Sequence, residues 1–179
     1  MTRRRLHDVK PALQQTCSSH DNNWRCPWGT PTKLMLFRPA NSEGVHFPHQ
    51  DPLVISAIVA GCEVRHILVD GGSSANIIST DAYMRIGLPT LALSHATIPL
   101  LGFGGESVHV LGQVQLRVSF STNENKSEEL VTFNVVDTPY HYNDIFGKGT
   151  RNKIETVTHH NYLKLKMSGP SGTIVIKGL

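Results

Sequence analysis

A mostly β protein, closed into a barrel or packed as a sandwich, is the fold class this sequence predicts. Short apolar runs recur at regular spacing from Val45 to the C-terminus, separated by turn formers. Two of these runs alternate strictly, so that one face is apolar and the other polar. Helix signals are few, which argues against a parallel α/β sheet.

Each element follows from local pattern. "PLVISAIVAG" and "CEVRHILV" are two β-rich runs that meet at Ala60-Gly61, which reads as a hairpin. In "VQLRVSF", Val114, Leu116, Val118 and Phe120 share one face, with Gln115, Arg117 and Ser119 on the other. "VTFNV" repeats the alternation with Val131, Phe133 and Val135, and "STNENKSEE" between them reads as a polar loop closing a long hairpin. "STDAYMRIGLP" carries the marks of one short helix: Ser79 or Thr80 as N-cap, Asp81 in the first turn, Gly87 as a stop and Pro89 beyond. "GTRNKIET" predicts a second. "YLKLKM" and "TIVIKG" predict two terminal strands, with Leu163, Leu165, Ile174 and Ile176 as their apolar residues and "SGPSG" as the turn. Residues 1–44 are polar and rich in turn formers, with only "KLMLF" apolar, and read as a flexible tail or linker. Residues 45–179 form the predicted domain.

Composition excludes several classes. Hydrophobic residues make up 39% of the chain and charged residues 17%, so a packed core is feasible. Net charge is +3, and Arg3, Arg4 and Arg5 supply part of the excess, so no nucleic-acid face is expected for this domain. Three cysteines cannot all pair, which excludes a disulfide scaffold. No apolar run is long enough to span a bilayer, and the basic start lacks the apolar segment of a signal peptide. The expectation is an intracellular, cytoplasmic protein without a membrane partner.

The chemistry concentrates in "HILVDGGSSANIIS". An apolar strand, Ile67-Leu68-Val69, runs into a lone acid, Asp70. A carboxylate at the end of a buried strand leaves water, which is costly unless it is paired or its pKa moves. Gly71 and Gly72 let the backbone turn tightly and bring amide N–H groups near, and Ser73 and Ser74 add hydroxyl donors. Asp-Gly is also the commonest hairpin signal. A hairpin would pair "SSANII" back onto "HILV", yet a helical pattern follows almost at once.

Two further stretches complete a known arrangement. "PLLGFGGESVHVLGQVQL" is a glycine-punctuated segment leading into a strand, and "YNDIFGKG" is an apolar pair followed by glycine and a cation. With these three motifs in order, residues 46–178 resemble the retropepsins, the aspartic proteases of retroviruses and LTR retrotransposons. They most resemble the protease segment of plant gypsy-class Gag-Pol polyproteins. The resemblance implies a closed, mostly β barrel with one or two short helices, contributing one catalytic aspartate per chain. Asp70 is then the catalytic acid, Gly71 to Ser74 the active-site loop, and Ile145 and Gly147 the family's core motif. Gly102, Phe103, Gly104 and Gly105 would form a mobile flap that closes over an extended peptide or polyprotein substrate. It also implies a homodimer in which two copies of Asp70 share a proton, joined by interleaved terminal strands, and localisation that includes virus-like particles. No cofactor and no metal are expected. No second Asp-x-Gly occurs in matching context; Asp137-Thr138-Pro139 comes nearest.

The chain departs from the family at three positions. Gly71 stands where a threonine or serine usually braces the dyad across the dimer, Lys148 where arginine is frequent, and Gly149 where aspartate or a small residue follows. A module that keeps the fold and has lost the chemistry is therefore the alternative. "GFGGES" lacks the Gly-Lys-Ser/Thr ending of a phosphate loop. Cys17, His20 and Cys26 have the wrong spacing for a zinc knuckle, and His7 is a poor fourth ligand. His46, His49, His159 and His160 read as solvated side chains.

Overall fold

A computed structural model describes residues 35–95, 99–102, 104–122, 125–137 and 141–179. The Cys17–His20–Cys26 group and Phe103 lie outside the described residues. The first hairpin joins β1 (Val54–Val59) to β2 (Cys62–Val69) through Ala60 and Gly61, with φ of 50° and 83°. Two successive left-handed residues match the right-handed twist of paired strands. Next come β3 (Ile77–Ser79) and α1 (Thr80–Arg85), whose N-cap Ser79 accepts from Ala82 N at 3.2 Å. A small hairpin, β4 (Leu100–Leu101) and β5 (Ser107–Val108), precedes the long pair β6 (Val110–Thr122) and β7 (Asn125–Val136). The chain then forms β8 (Asp144–Phe146) and α2 (Lys148–Lys153). It ends in β9 (Val157–His159), β10 (Lys164–Gly169) and β11 (Gly172–Lys177).

Six strands close a barrel in the order β1-β2-β8-β3-β7-β6, with β6 returning to β1. β8 lies between β2 and β3: it runs parallel to β2, pairing Val69 with Phe146, and antiparallel to β3, pairing Ile77 with Ile145. β2 and β3 are therefore not neighbours, and Asp70-Gly71 is no hairpin turn. The barrel is filled from both alternating strands. Val114, Leu116, Val118 and Phe120 of β6 and Val131, Phe133 and Val135 of β7 are buried, and Phe146 packs against Phe120 and Phe133 at centroid distances of 6.3 and 5.9 Å.

Several expectations need correction. The β6–β7 ladder continues to Thr122 opposite Asn125, so most of "STNENKSEE" is strand rather than loop. Ion pairs of Glu128 with Arg117 and Lys126 hold this polar extension in register. Ser119, expected on the solvent face, is buried. Leu163 is not in a strand; it caps a short 3-10 turn with φ of 47°. The terminal strands, whose pairing within the chain or across an interface the sequence leaves open, pair with each other in a sheet of order β11-β10-β9 that buries Leu165, Met167 and Ile174.

Residues 36–43, expected to belong to the tail, lie against that sheet. Lys164 Nζ donates to Asn41 O and Glu43 O, and Lys166 Nζ donates to Leu36 O at 2.6 Å and Asn41 Oδ1 at 3.0 Å. The Phe37 ring sits between Lys166 Nζ, 4.6 Å from its centroid, and the His159 ring at 5.0 Å. His159 in turn stacks on Tyr162, and His49 Nε2 lies 3.0 Å from Asn161 O, so neither ring is the solvated side chain expected. Among the described residues no helix is long and apolar enough to cross a membrane.

Candidate active site

Asp70 stands immediately beyond the end of β2, half-buried, where the chain leaves the barrel wall. Its amide donates to Phe146 O at 3.0 Å, which extends the parallel β2–β8 ladder by one residue. Its carboxylate Oδ1 accepts from Gly72 N at 2.8 Å. The turn at Gly71 and Gly72 thus bends an amide back onto the acid. Ser73 Oγ donates to Ala75 O at 2.9 Å and accepts from Ala75 N, closing the rest of the loop. Ser74 is exposed.

The "YNDIFGKG" segment meets this loop directly. Lys148 N donates to Ser73 O at 2.8 Å. Gly147 passes so close that a Cβ there would lie 2.8 Å from Ser73 O and nearer still to Ala75 O. Only glycine admits that approach of two backbones. Ile145 sits between β2 and β3 as the ladder partner of both Leu68 and Ile77. The first and third motifs of the sequence are therefore one structural unit.

Asn76 is the hub that the sequence reading missed. Its Oδ1 accepts from Gly147 N at 3.0 Å, Thr150 N at 3.3 Å and Thr150 Oγ1 at 2.7 Å. Its Nδ2 donates to Thr132 O at 3.0 Å, and its carbonyl accepts from the Asn134 backbone and side chain. Gln113 Nε2 continues the network to Asn134 Oδ1. These groups are buried or half-buried, and each finds a partner, which is what makes a buried polar network rigid. The available signal was a polar residue set between "SSA" and the apolar pair Ile77-Ile78.

Asp144, also missed, is the opposite case. It is 1% exposed, and neither carboxylate oxygen has a hydrogen-bond partner among the described residues. Burial pushes its pKa up to about 7. Arg151, on α2, is the third unforeseen group, and its guanidinium lies against Gly71.

The glycine-rich segment forms a small hairpin. β4 and β5 pair Leu100 with Val108 and Leu101 with Ser107. Gly102 N donates to Glu106 O, Gly105 N donates to Gly102 O, and Gly105 has φ of 82°. Leu101 is 68% exposed at the base of this tip. Among the described residues no hydrogen bond joins Gly102, Gly104 or Gly105 to the Asp70 loop. Among the described residues no group of three or more His, Cys, Asp or Glu side chains is placed to hold a metal ion.

A closed barrel with an aspartate loop on β2 and a third strand threaded between β2 and β3 matches solved structures along most of its length. The retroviral protease-like domain of Ddi1 from Leishmania major superposes with a TM-score of 0.56 at 14% identity, over 73% of this chain and 96% of that one. The chain has a retropepsin-like fold. A retropepsin-like aspartic protease from Rickettsia conorii matches at 12% identity and a TM-score of 0.45, over 69% of this chain and 80% of that one. EIAV protease in complex with the inhibitor HBY-793 matches at 16% identity and a TM-score of 0.43, over 60% of this chain and 92% of that one. No protein-family model matches the chain, and no curated protein matches it. The retropepsin-like barrel accounts for the pairing of the first and third motifs, because the strand that carries Ile145 and Phe146 is the one inserted beside Asp70.

Proposed function

We propose that the chain is an aspartic endopeptidase domain that acts on extended peptides as a homodimer, one Asp70 coming from each copy. The setting of Asp70 carries this reading: a half-buried carboxylate fixed by a turn amide at 2.8 Å, on a loop clamped to the strand beside it. One such acid per chain calls for a second copy about a two-fold axis. Two facing carboxylates cannot both ionise cheaply, so the pair holds one proton. The ionised member takes a proton from a bound water as its oxygen attacks the scissile carbonyl. The protonated member donates to the carbonyl oxygen, and the amine leaves after receiving a proton.

The order of motifs in the sequence supports a finer reading: a protease segment of a plant gypsy-class retrotransposon polyprotein, acting inside the cell on that polyprotein. The substrate would lie as an added strand beneath the Gly102–Gly105 hairpin.

Cleavage of a denatured or polyprotein-derived substrate at mildly acid pH tests the assignment, with Asp70→Asn as the control. We expect activity in the wild type alone, and tighter binding of a statine-type transition-state analogue than of a matched peptide. Equal activity in Asp70→Asn removes Asp70 from the chemistry. A folded dimer that shows neither cleavage nor preference for the analogue is a scaffold that has kept the fold alone.

A further inference from the structure

Gly71 has no side chain, but the space beside it is filled. A Cβ built on Gly71 would lie 2.5 Å from Arg151 Nη1 and 3.5 Å from Arg151 Cζ. The guanidinium therefore occupies the volume that a side chain at 71 would need. It arrives from α2, whose first residues are pinned to the loop through Lys148 N and Ser73 O. Its aim is set further by Nη2, which donates to Thr158 Oγ1 at 3.3 Å. Arg151 Nε is buried and has no acceptor among the described residues. A planar cation with a donor to spare thus lies beside the turn that holds the candidate catalytic acid.

The geometry points to Arg151 as a positioning residue for Asp70. Its guanidinium packs beside the Asp70-Gly71-Gly72 turn and supplies the filling that residue 71 does not. The guanidinium of half-buried Arg151 does two things at once. Its Nη1 end fills the space beside Gly71, and it brings a permanent positive charge next to the turn that carries Asp70. Glycine at 71 and arginine at 151 then share one space: a side chain at 71 has to displace the end of Arg151, and a short side chain at 151 removes the group packed beside the turn. This role rests on the endopeptidase reading above.

Steady-state cleavage by the full chain decides it. Arg151→Leu is expected to lower kcat by about tenfold to a hundredfold with KM nearly unchanged, the signature of a displaced reacting group rather than lost substrate contacts. Arg151→Lys keeps the charge without the planar fork and should fall between the two. Gly71→Ser alone should be impaired, and Gly71→Ser combined with Arg151→Leu should recover part of kcat. If Arg151→Leu does not fold, the same comparison is made with Gly71→Ser and Arg151→Lys, singly and together, using kcat and thermal unfolding. Losses that simply add, with no recovery in the double variant, overturn the pairing. Asp70-dependent cleavage at wild-type kcat in Arg151→Leu overturns the role of Arg151 while leaving the endopeptidase intact. A wild-type chain without Asp70-dependent cleavage removes the reaction and the role together.

Discussion

Asp144 sets a buried carboxyl group in the barrel wall with no hydrogen-bond partner among the described residues, and its proton takes the place of a partner. In the folded chain its pKa is about 7, whereas in the unfolded chain it titrates near the ordinary 3.8. Below the unfolded value both states carry the proton, and the fold keeps its full stability. As pH rises from about 4 towards 7, only the unfolded chain releases the proton, so stability falls, and it levels off above the folded pKa. The loss amounts to about 4 kcal/mol across that window. Urea unfolding at pH 4.5, 6 and 8 is expected to show a midpoint that declines with pH, and Asp144→Asn is expected to flatten that decline. An equally steep decline in Asp144→Asn would place the sensitivity elsewhere. Neither Asp144 nor Asn76 was legible in the sequence, for one reason. What a polar residue means depends on what faces it, and the groups that Asn76 serves lie 71 and 74 residues away along the chain. Asp70 was legible because its partner, Gly72 N, is its near neighbour.

Strands fared better than connections at the scale of elements. β6 and β7 declared themselves by alternation, since each buries one face against the barrel interior. Where alternation fades into polar residues, the ladder continues on cross-strand charge pairs, and composition alone reads as loop. The same blindness concealed the segment 36–43, whose hold on β10 is polar. Lys164 and Lys166 share the face of β10 opposite Leu165 and Met167, and backbone oxygens of the segment serve as their acceptors. Charge-assisted bonds of this type contribute about 1.5–3 kcal/mol each, offset where the freed ammonium regains water. Deleting residues 1–34 is therefore expected to leave the urea midpoint unchanged, while deleting 1–44 lowers it by the equivalent of about 1–3 kcal/mol. Equal midpoints for the two truncations would show that the segment contributes nothing.

For the molecule as a whole, the proposed reading makes activity a property of pairs, with one Asp70 from each copy. Specific activity should rise with protein concentration and level off as the dimer saturates, which dilution series with sedimentation at matched concentrations will check. A specific activity independent of concentration down to a sedimenting monomer would exclude a shared site. The C-terminal strand is part of the fold itself. Because β11 is zipped to β10 along its whole length and buries Ile174, deleting residues 171–179 should unfold the chain rather than merely separate two copies. Loss of the Ile174 side chain alone costs about 2–5 kcal/mol. A well-folded monomer after that deletion, seen by circular dichroism and sedimentation, would contradict this.

The insertion of β8 between β2 and β3 has a consequence in time. During synthesis the Asp70 loop leaves the ribosome long before residues 144–147, and until they appear there is no strand for the Asp70 amide to pair with and no backbone to clamp Ser73. The barrel cannot close early, because its wall has a slot that only a late segment fills. A nascent chain thus holds the complete Asp70 loop sequence without the backbone that fixes it. If the proposed protease is embedded in its own substrate, that ordering works as a delay: cutting must wait until the whole domain has been made, and then until a second one has been made beside it.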